Sequence, residues 1–275
     1  MKCNYKVSFI LVLYSLISCD VISQDMDSLK LSNQTEVYGS LLYETNDVGV
    51  FYEFERTGGI VVHSSGFGLN YRSGKHMTGF RKRIVEFELA NIKHPKEYKT
   101  YNPNIDGSKG YVFGKLNALL VLRTSLGAQS VITSKTDMGG VELRYICMFG
   151  GSLGLLKPVY LDIREEILNT GLYEVVVERY NPKKHSTYNI IGKAPFLKGI
   201  DKLGLVPGGF AKLGLSAEYG KEPTKIKTLE VGMMVDLFHK VVPIMADINT
   251  VSDDSNPNKM LFFSFYLSVN YGKKW

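Results

Sequence analysis

The chain's last stretch, MLFFSFYLSVNYGKKW, alternates large apolar with small polar residues: Leu261, Phe263, Phe265, Leu267, Val269 and Tyr271 share one parity, and Ser264, Ser268 and Asn270 the other. A period of two marks a β-strand with one face toward an apolar medium and the other toward water or polar partners. The pattern recurs upstream. Residues 58–75, GGIVVHSSGFGLNYRSGK, hold Val61, His63, Ser65, Phe67, Leu69 and Tyr71 in one phase and Gly68, Asn70 and Arg72 in the other, which predicts one long strand. GFRKRIVEFELANIK sets Val85, Phe87 and Leu89 against Lys82, Glu86 and Glu88, and YVFGKLNALLVLR sets Leu116, Ala118, Leu120 and Leu122 against Lys115, Asn117 and Arg123. A short strand, AQSVITSK, then turns at TDMGG into a long one that carries Val141, Leu143, Tyr145, Cys147, Phe149, Leu153 and Leu155 opposite Glu142 and Arg144. FAKLGLSAEYG opposes Leu213, Leu215 and Ala217 to Lys212, Ser216 and Glu218, and KIKTLEVGMMVDLF opposes Leu229, Val231, Met233 and Val235 to Glu230 and Asp236.

These segments predict an all-β chain of eight antiparallel strands between Gly58 and Tyr271, with ten or twelve open if the N-terminal segment joins the sheet. Links are long at 162–207 and 239–259 and short after the fourth and sixth strands. Long loops on one rim and short turns on the other is the plan of outer-membrane barrels. Two links depart from it: the one after the second strand is too long for a turn, and the one after the third too short for a loop.

Period alone does not say which face is inside, because a soluble barrel and a membrane barrel write the same alternation. Opposite the apolar stripes stand Lys82, Glu86, Glu88, Lys115, Arg123, Glu142, Arg144, Lys212, Glu218, Glu230 and Asp236. In a membrane barrel these line the lumen, where an eight-stranded interior is just wide enough for side chains to fill it and opposite charges to pair. A closed sheet also satisfies every backbone N–H and C=O without water, as hydrocarbon requires.

Composition narrows the class. Tyrosine (17), phenylalanine (14) and glycine (27) are plentiful beside a single tryptophan, which suits strands and turns. The net charge of +6 is scattered among nearly as many acids, so no nucleic-acid-binding stripe forms. At the N-terminus two early lysines precede an apolar run from Val7 to Ile17 and then small residues, the layout of a secretory signal. Cleavage after Ser23 (signal 1–23) and lipidation at Cys19 are both open; Gln24 after a small residue favours the first. This leaves an N-terminal segment over 24–56, with room for extra strands, and a barrel over 57–275. Either cut leaves Cys147 without an intrachain disulfide partner. The aromatics near strand ends resemble interfacial girdles. The end of the chain resembles the signal read by the outer-membrane barrel-assembly machinery, carried here by Leu267, Val269, Tyr271 and Trp275 and interrupted by Lys273.

The stretches HSSGFGLNYRSGK, NIKHPKE, YVFGKLN, SLGLLKPVYL and NYGKKW resemble a family of outer-membrane β-barrel proteins of the Bacteroidota over residues 55–275. That resemblance implies place and fold: a Gram-negative outer membrane, with its lipid and the assembly machinery as partners. It implies no activity.

Candidate chemistry is sparse. His63 and Ser65 have the His-x-Ser spacing of lipid A deacylases, in which imidazole takes the serine proton during attack on an ester. That family carries the element late in its barrel, whereas here it is early and no orienting acid stands out. The glycines of GFGLNYRSGK precede no helix, so no phosphate loop forms. Asp247, Asp253, Asp254 and Asn256 lack the ordered spacing of a calcium loop, and His76, His94, His185 and His239 lack paired-ligand spacing. No cofactor or metal is expected. The reading is an anchor or accessory of an envelope assembly, with a lipid-modifying esterase and a narrow channel as alternatives.

Overall fold

The computed structural model describes residues 52–275, apart from 106, 135–139, 168–171, 221, 223 and 247–257. The signal segment, Cys19, Gln24 and the Asp247–Asn256 cluster lie outside the described residues.

Eight strands close into one antiparallel barrel in which each wall strand pairs with its neighbours along the chain, and the last pairs with the first. In chain order they are β1 (Phe54–His63), β2 (Gly66–His76), β3 (Arg81–Ile92), β6 (Asn117–Thr133), β7 (Glu142–Pro158), β11 (Gly204–Glu218), β12 (Lys225–Phe238) and β13 (Leu261–Lys274). Between them lie β4 (Lys99–Thr100) paired with β5 (Tyr111–Val112), and a small sheet ordered β10 (Ile190–Lys193), β8 (Tyr160–Glu166), β9 (Tyr173–Arg179). Closure sets Val62 opposite Leu267 and Ile60 opposite Val269, so the alternating C-terminal strand has a partner on both edges.

The count of eight stands, but two boundaries are corrected. Residues 58–75 are two strands joined by the two-residue turn Ser64–Ser65, with His63 opposite Gly66. The segments split around Thr124–Gly127 are one strand, β6, whose alternation continues with Ser125 and Gln129 inward and Thr124 and Leu126 outward. These corrections remove both anomalous links. One rim now carries 64–65, 93–116, 159–203 and 239–260, and the other carries 77–80, 134–141, 219–224 and both ends of the barrel sheet.

The outer wall is apolar. Leu69, Leu89 and Leu122 align across β2, β3 and β6 and are exposed, as are Phe263, Phe265, Leu267 and Val269 on β13. Near the rim of short turns the wall ends in Tyr71, Tyr145, Tyr219, Tyr271 and Trp275, with the Arg56 guanidinium 5.0 Å from the Trp275 ring centroid. The inner wall is built of charge and fitted apolar groups. Gly214, Gly232 and Tyr266 stand opposite one another on β11, β12 and β13, and a Cβ at Gly214 would come within 2.2 Å of the Tyr266 hydroxyl. The ring lies where two missing side chains leave room, an arrangement known to support glycine in sheets.

Candidate functional site

Two places gather chemistry: the lumen, and the rim of long links. In the lumen, alternation on five strands, β2, β3, β6, β11 and β12, aims side chains of both signs at the axis. Arg72 on β2 donates from Nε to Glu86 at 2.9 Å and from Nη2 to Glu230 at 3.0 Å. The Glu86 carboxylate also accepts from Lys212 Nζ at 2.7 Å, and Glu88 lies 3.5 Å from the same ammonium. Arg123 grips Asp236 with two bonds, Nε to Oδ1 at 2.9 Å and Nη2 to Oδ2 at 2.8 Å, and also donates to Glu88. Phe210 and Tyr266 flank the cations, with Lys212 Nζ 4.5 Å from the Tyr266 ring centroid. All seven charged groups are buried, Lys212, Glu230 and Asp236 completely. The chain Glu230–Arg72–Glu86–Lys212–Glu88–Arg123–Asp236 thus crosses the barrel as one network, in which removing a member strands its neighbours' charges.

A second charged layer lies toward the rim of short turns, beyond Ile84, Ile146 and Met148. There Lys82 pairs with Glu55 at 2.6 Å, Lys274 with Glu218 at 2.5 Å, and Arg144 with Glu142. Toward the other rim the lumen turns apolar: Val242, Ile244 and Met245 pack on Ile92, Leu119, Val121, Leu156 and Phe238. Main-chain bonds from Leu116 to Ile244 (2.9 Å) and from Ala246 to Gly114 (2.7 Å) hold that segment across the mouth.

Among the residues singled out from the sequence, Lys82, Glu86, Glu88, Arg123, Arg144, Lys212, Glu218, Glu230 and Asp236 lie buried on the inner face, and Glu142 faces inward at its end, partly buried. Lys115 is a correction: it precedes the first residue of β6, bridges to Met245 and pairs with Glu97 at 2.5 Å. The lumen charges that the sequence pattern does not pick out are Arg72, Glu55 and Lys274. Arg72 shares the parity of Gly68 and Asn70, the signal that could have found it, whereas Glu55 lies in a segment whose alternation is weak.

The His63 and Ser65 pair does not share an outer face. His63 turns into the lumen, its Nε2 3.1 Å from Glu88 Oε1 but misaligned for a hydrogen bond, while Ser65 sits in the turn. The phase expected over 58–75 breaks there, because the two-residue turn reverses the chain and the outward parity passes from Ile60 and Val62 to Phe67, Leu69 and Tyr71. Leu267, Val269, Tyr271 and Trp275 are all exposed on the outer wall.

At the rim of long links, β8, β9 and β10 enclose a second core of Tyr111, Leu161, Ile163, Tyr180 and Ile190. Burial pushes the Tyr180 phenol above its ordinary value. Hydrogen bonds from Lys184 and His185 hold the Glu178 carboxyl below the usual carboxylate range. β9 is an edge strand, and its Tyr173, Val175 and Val177 are exposed.

No protein-family profile and no curated relative matches the chain. Among solved structures, the chain is similar to Neisserial surface protein A, at 11% identity over 81% of this chain and 96% of that one, with a TM-score of 0.38. It is also similar to Ail, the attachment invasion locus protein of Yersinia pestis, solved alone (8% identity, 82% and 99% coverage, TM-score 0.35) and with the heparin analogue sucrose octasulfate (6%, 81% and 97%, TM-score 0.37). At these values no role passes from them to this chain.

Proposed function

We propose that the protein is an integral outer-membrane barrel with a filled lumen, acting without catalysis as an anchor or accessory of an envelope assembly through its rim of long links. The observation that carries this reading is the inversion of polarity across the wall: paired charges fill the inside while Leu, Phe and Val side chains encircle the outside. An exposed apolar ring on that scale far exceeds the patches that soluble monomers tolerate, and hydrocarbon is the medium that suits it. The secretory signal read over residues 1–23 supports the same place, with the long links facing outward.

Two features support the accessory role. The lumen is filled by side chains, and its mouth at the long-link rim is covered by an apolar cluster, which speaks against conduction. Among the described residues no strand pairs with the outer edge of β9, beside exposed Tyr173, Val175 and Val177, a surface suited to strand addition by a partner. The esterase reading loses the shared face it required of His63 and Ser65.

Isolation of native outer membrane, alkaline carbonate washing and affinity purification test the proposal. The protein should stay with the washed membrane, co-purify with an envelope protein, and lose that companion in Val175→Lys. A protein released in the aqueous wash would overturn the membrane reading. Steady bilayer conductance, or acyl release from purified lipid that Ser65→Ala abolishes, would overturn the non-catalytic, non-conducting role.

A further inference from the structure

The outward row of β7 runs Phe149, Gly151, Leu153, Leu155 and then Lys157, so the apolar belt ends abruptly in an ammonium one residue before the strand does. Leu155 stands opposite Leu120 on β6 and Leu205 on β11, which continues a greasy track directly beneath that lysine. Above the track, the 159–203 link folds back so that Lys157, Lys193 and Lys198 line one cleft with Tyr160, Pro195 and Phe196. Lys157 Nζ lies 3.7 Å from the Phe196 ring centroid and donates to the Phe196 carbonyl, and Lys193 Nζ approaches the same ring at 5.9 Å. The ring thus fixes two ammonium groups side by side.

None of these three lysines has a carboxylate partner among the described residues, whereas Lys115, on the same cleft, is neutralised by Glu97. Three like charges gathered without an acid repel one another, and an anion relieves that repulsion. Phe196 and Leu197 are strongly exposed beside them, an apolar tip at the level where the belt gives way to charge. A soluble anion would explain the lysines but not the track below or the apolar tip.

We propose that this cleft binds the phosphate headgroup of an anionic lipid in the outer leaflet, with Lys157, Lys193 and Lys198 holding the phosphate and an acyl chain lying along Leu155, Leu120 and Leu205. Binding adds no bond and moves no proton; the lysines supply charge and the wall supplies apolar contact. The inference rests on the membrane-embedded reading, and the test separates the two.

The full-length protein, purified in mild detergent, is exchanged with equal amounts of long-chain phosphatidylglycerol and phosphatidylcholine and examined by native mass spectrometry. Wild type should retain phosphatidylglycerol preferentially, and the K157Q/K193Q/K198Q variant should lose that preference by roughly ten- to a hundredfold, given the usual contribution of each lysine near an anionic surface. The control K96Q/K99Q/K240Q, which removes three exposed lysines elsewhere on the same rim, should behave as wild type. Circular dichroism and the mobility of unheated protein on gels show whether each variant is folded, and the single variant Lys193→Gln, at an exposed position, carries the test should the triple variant fail to fold. Equal retention of the two lipids, or an unchanged preference in the folded variant, would overturn the proposal. So would competition by excess inorganic phosphate with no dependence on acyl length, which would mark a free-phosphate site, and so would loss of a co-purifying protein with lipid retention unchanged, which would assign the lysines to a protein contact. A protein soluble without detergent would fail the membrane reading itself.

Discussion

At the scale of single residues, the barrel places its largest electrostatic stakes on arginines. Arg123 neutralises Asp236 and Glu88 at once in a site from which water is excluded. Replacement by methionine keeps most of the volume but strips buried Asp236 of its arginine and leaves Glu88 with only the longer contact to Lys212, so Arg123→Met should destabilise the barrel by about 3–5 kcal/mol in urea unfolding followed by tryptophan fluorescence. Adding Asp236→Leu and Glu88→Gln should restore much of the loss, since an apolar replacement of a whole buried pair is often neutral. Tyr266 makes a contrasting case. Its ring covers Gly214 and Gly232 and backs Lys212, but its hydroxyl has no hydrogen-bond partner among the described residues. Tyr266→Phe should therefore change stability by less than about 1 kcal/mol, while Tyr266→Ala, which empties the space over two glycines, should cost about 3–5 kcal/mol. Equal losses in the two variants would mean that the hydroxyl, not the ring, is the structural element.

Among elements, the decisive one is the turn at Ser64–Ser65. If β1 and β2 are separate strands, nitroxide labels placed along the chain in lipid vesicles should report oxygen access at Ile60 and Val62, then at Phe67, Leu69 and Tyr71, with the even-to-odd change at the turn. One continuous strand would keep a single parity throughout. The sequence hid this turn for physical reasons. Ser-Ser lacks the Asn-Gly or Asp-Gly signature of tight hairpins, and the run Ile60, Val61, Val62 is apolar on both faces because Val61 packs inside against Phe210, Met234 and Tyr266. β6 was split for the converse reason: Thr124, Ser125, Gly127 and Ala128 are small and weakly apolar, yet they keep their phase, and Gly127 makes room for Met148. Where both faces were strongly marked, as in β3 with Val85, Phe87 and Leu89 against Lys82, Glu86 and Glu88, sequence and structure coincide. The small sheet of β8, β9 and β10 was illegible because its strands are short and its core borrows Tyr111 from a distant link. The lysine cleft was illegible too, because Lys157, Lys193 and Lys198 meet only through that sheet's fold.

For the whole molecule, one question governs the rest: whether the medium outside the wall is hydrocarbon or water. Leu89 and Leu122 face each other across β3 and β6 near the middle of the exposed belt, while Glu88 and Arg123, on the neighbouring inward positions, are buried in the lumen. In a bilayer an arginine at either leucine must pull its charge through the apolar layer, at a cost of about 2–4 kcal/mol near the midplane that fades toward the interfaces. In water the same change at an exposed position would alter stability by about 0.5 kcal/mol or less. Leu89→Arg and Leu122→Arg, refolded into vesicles and titrated with guanidinium, should therefore each lose about 2–4 kcal/mol, whereas Leu143→Arg, toward the rim of short turns, should lose clearly less. The depth dependence is the discriminating feature, because a general packing defect would not track distance from the centre of the belt. A flat response along the wall, with folding preserved in detergent-free buffer, would replace the bilayer with water as the solvent, and the charged lumen would then need another explanation.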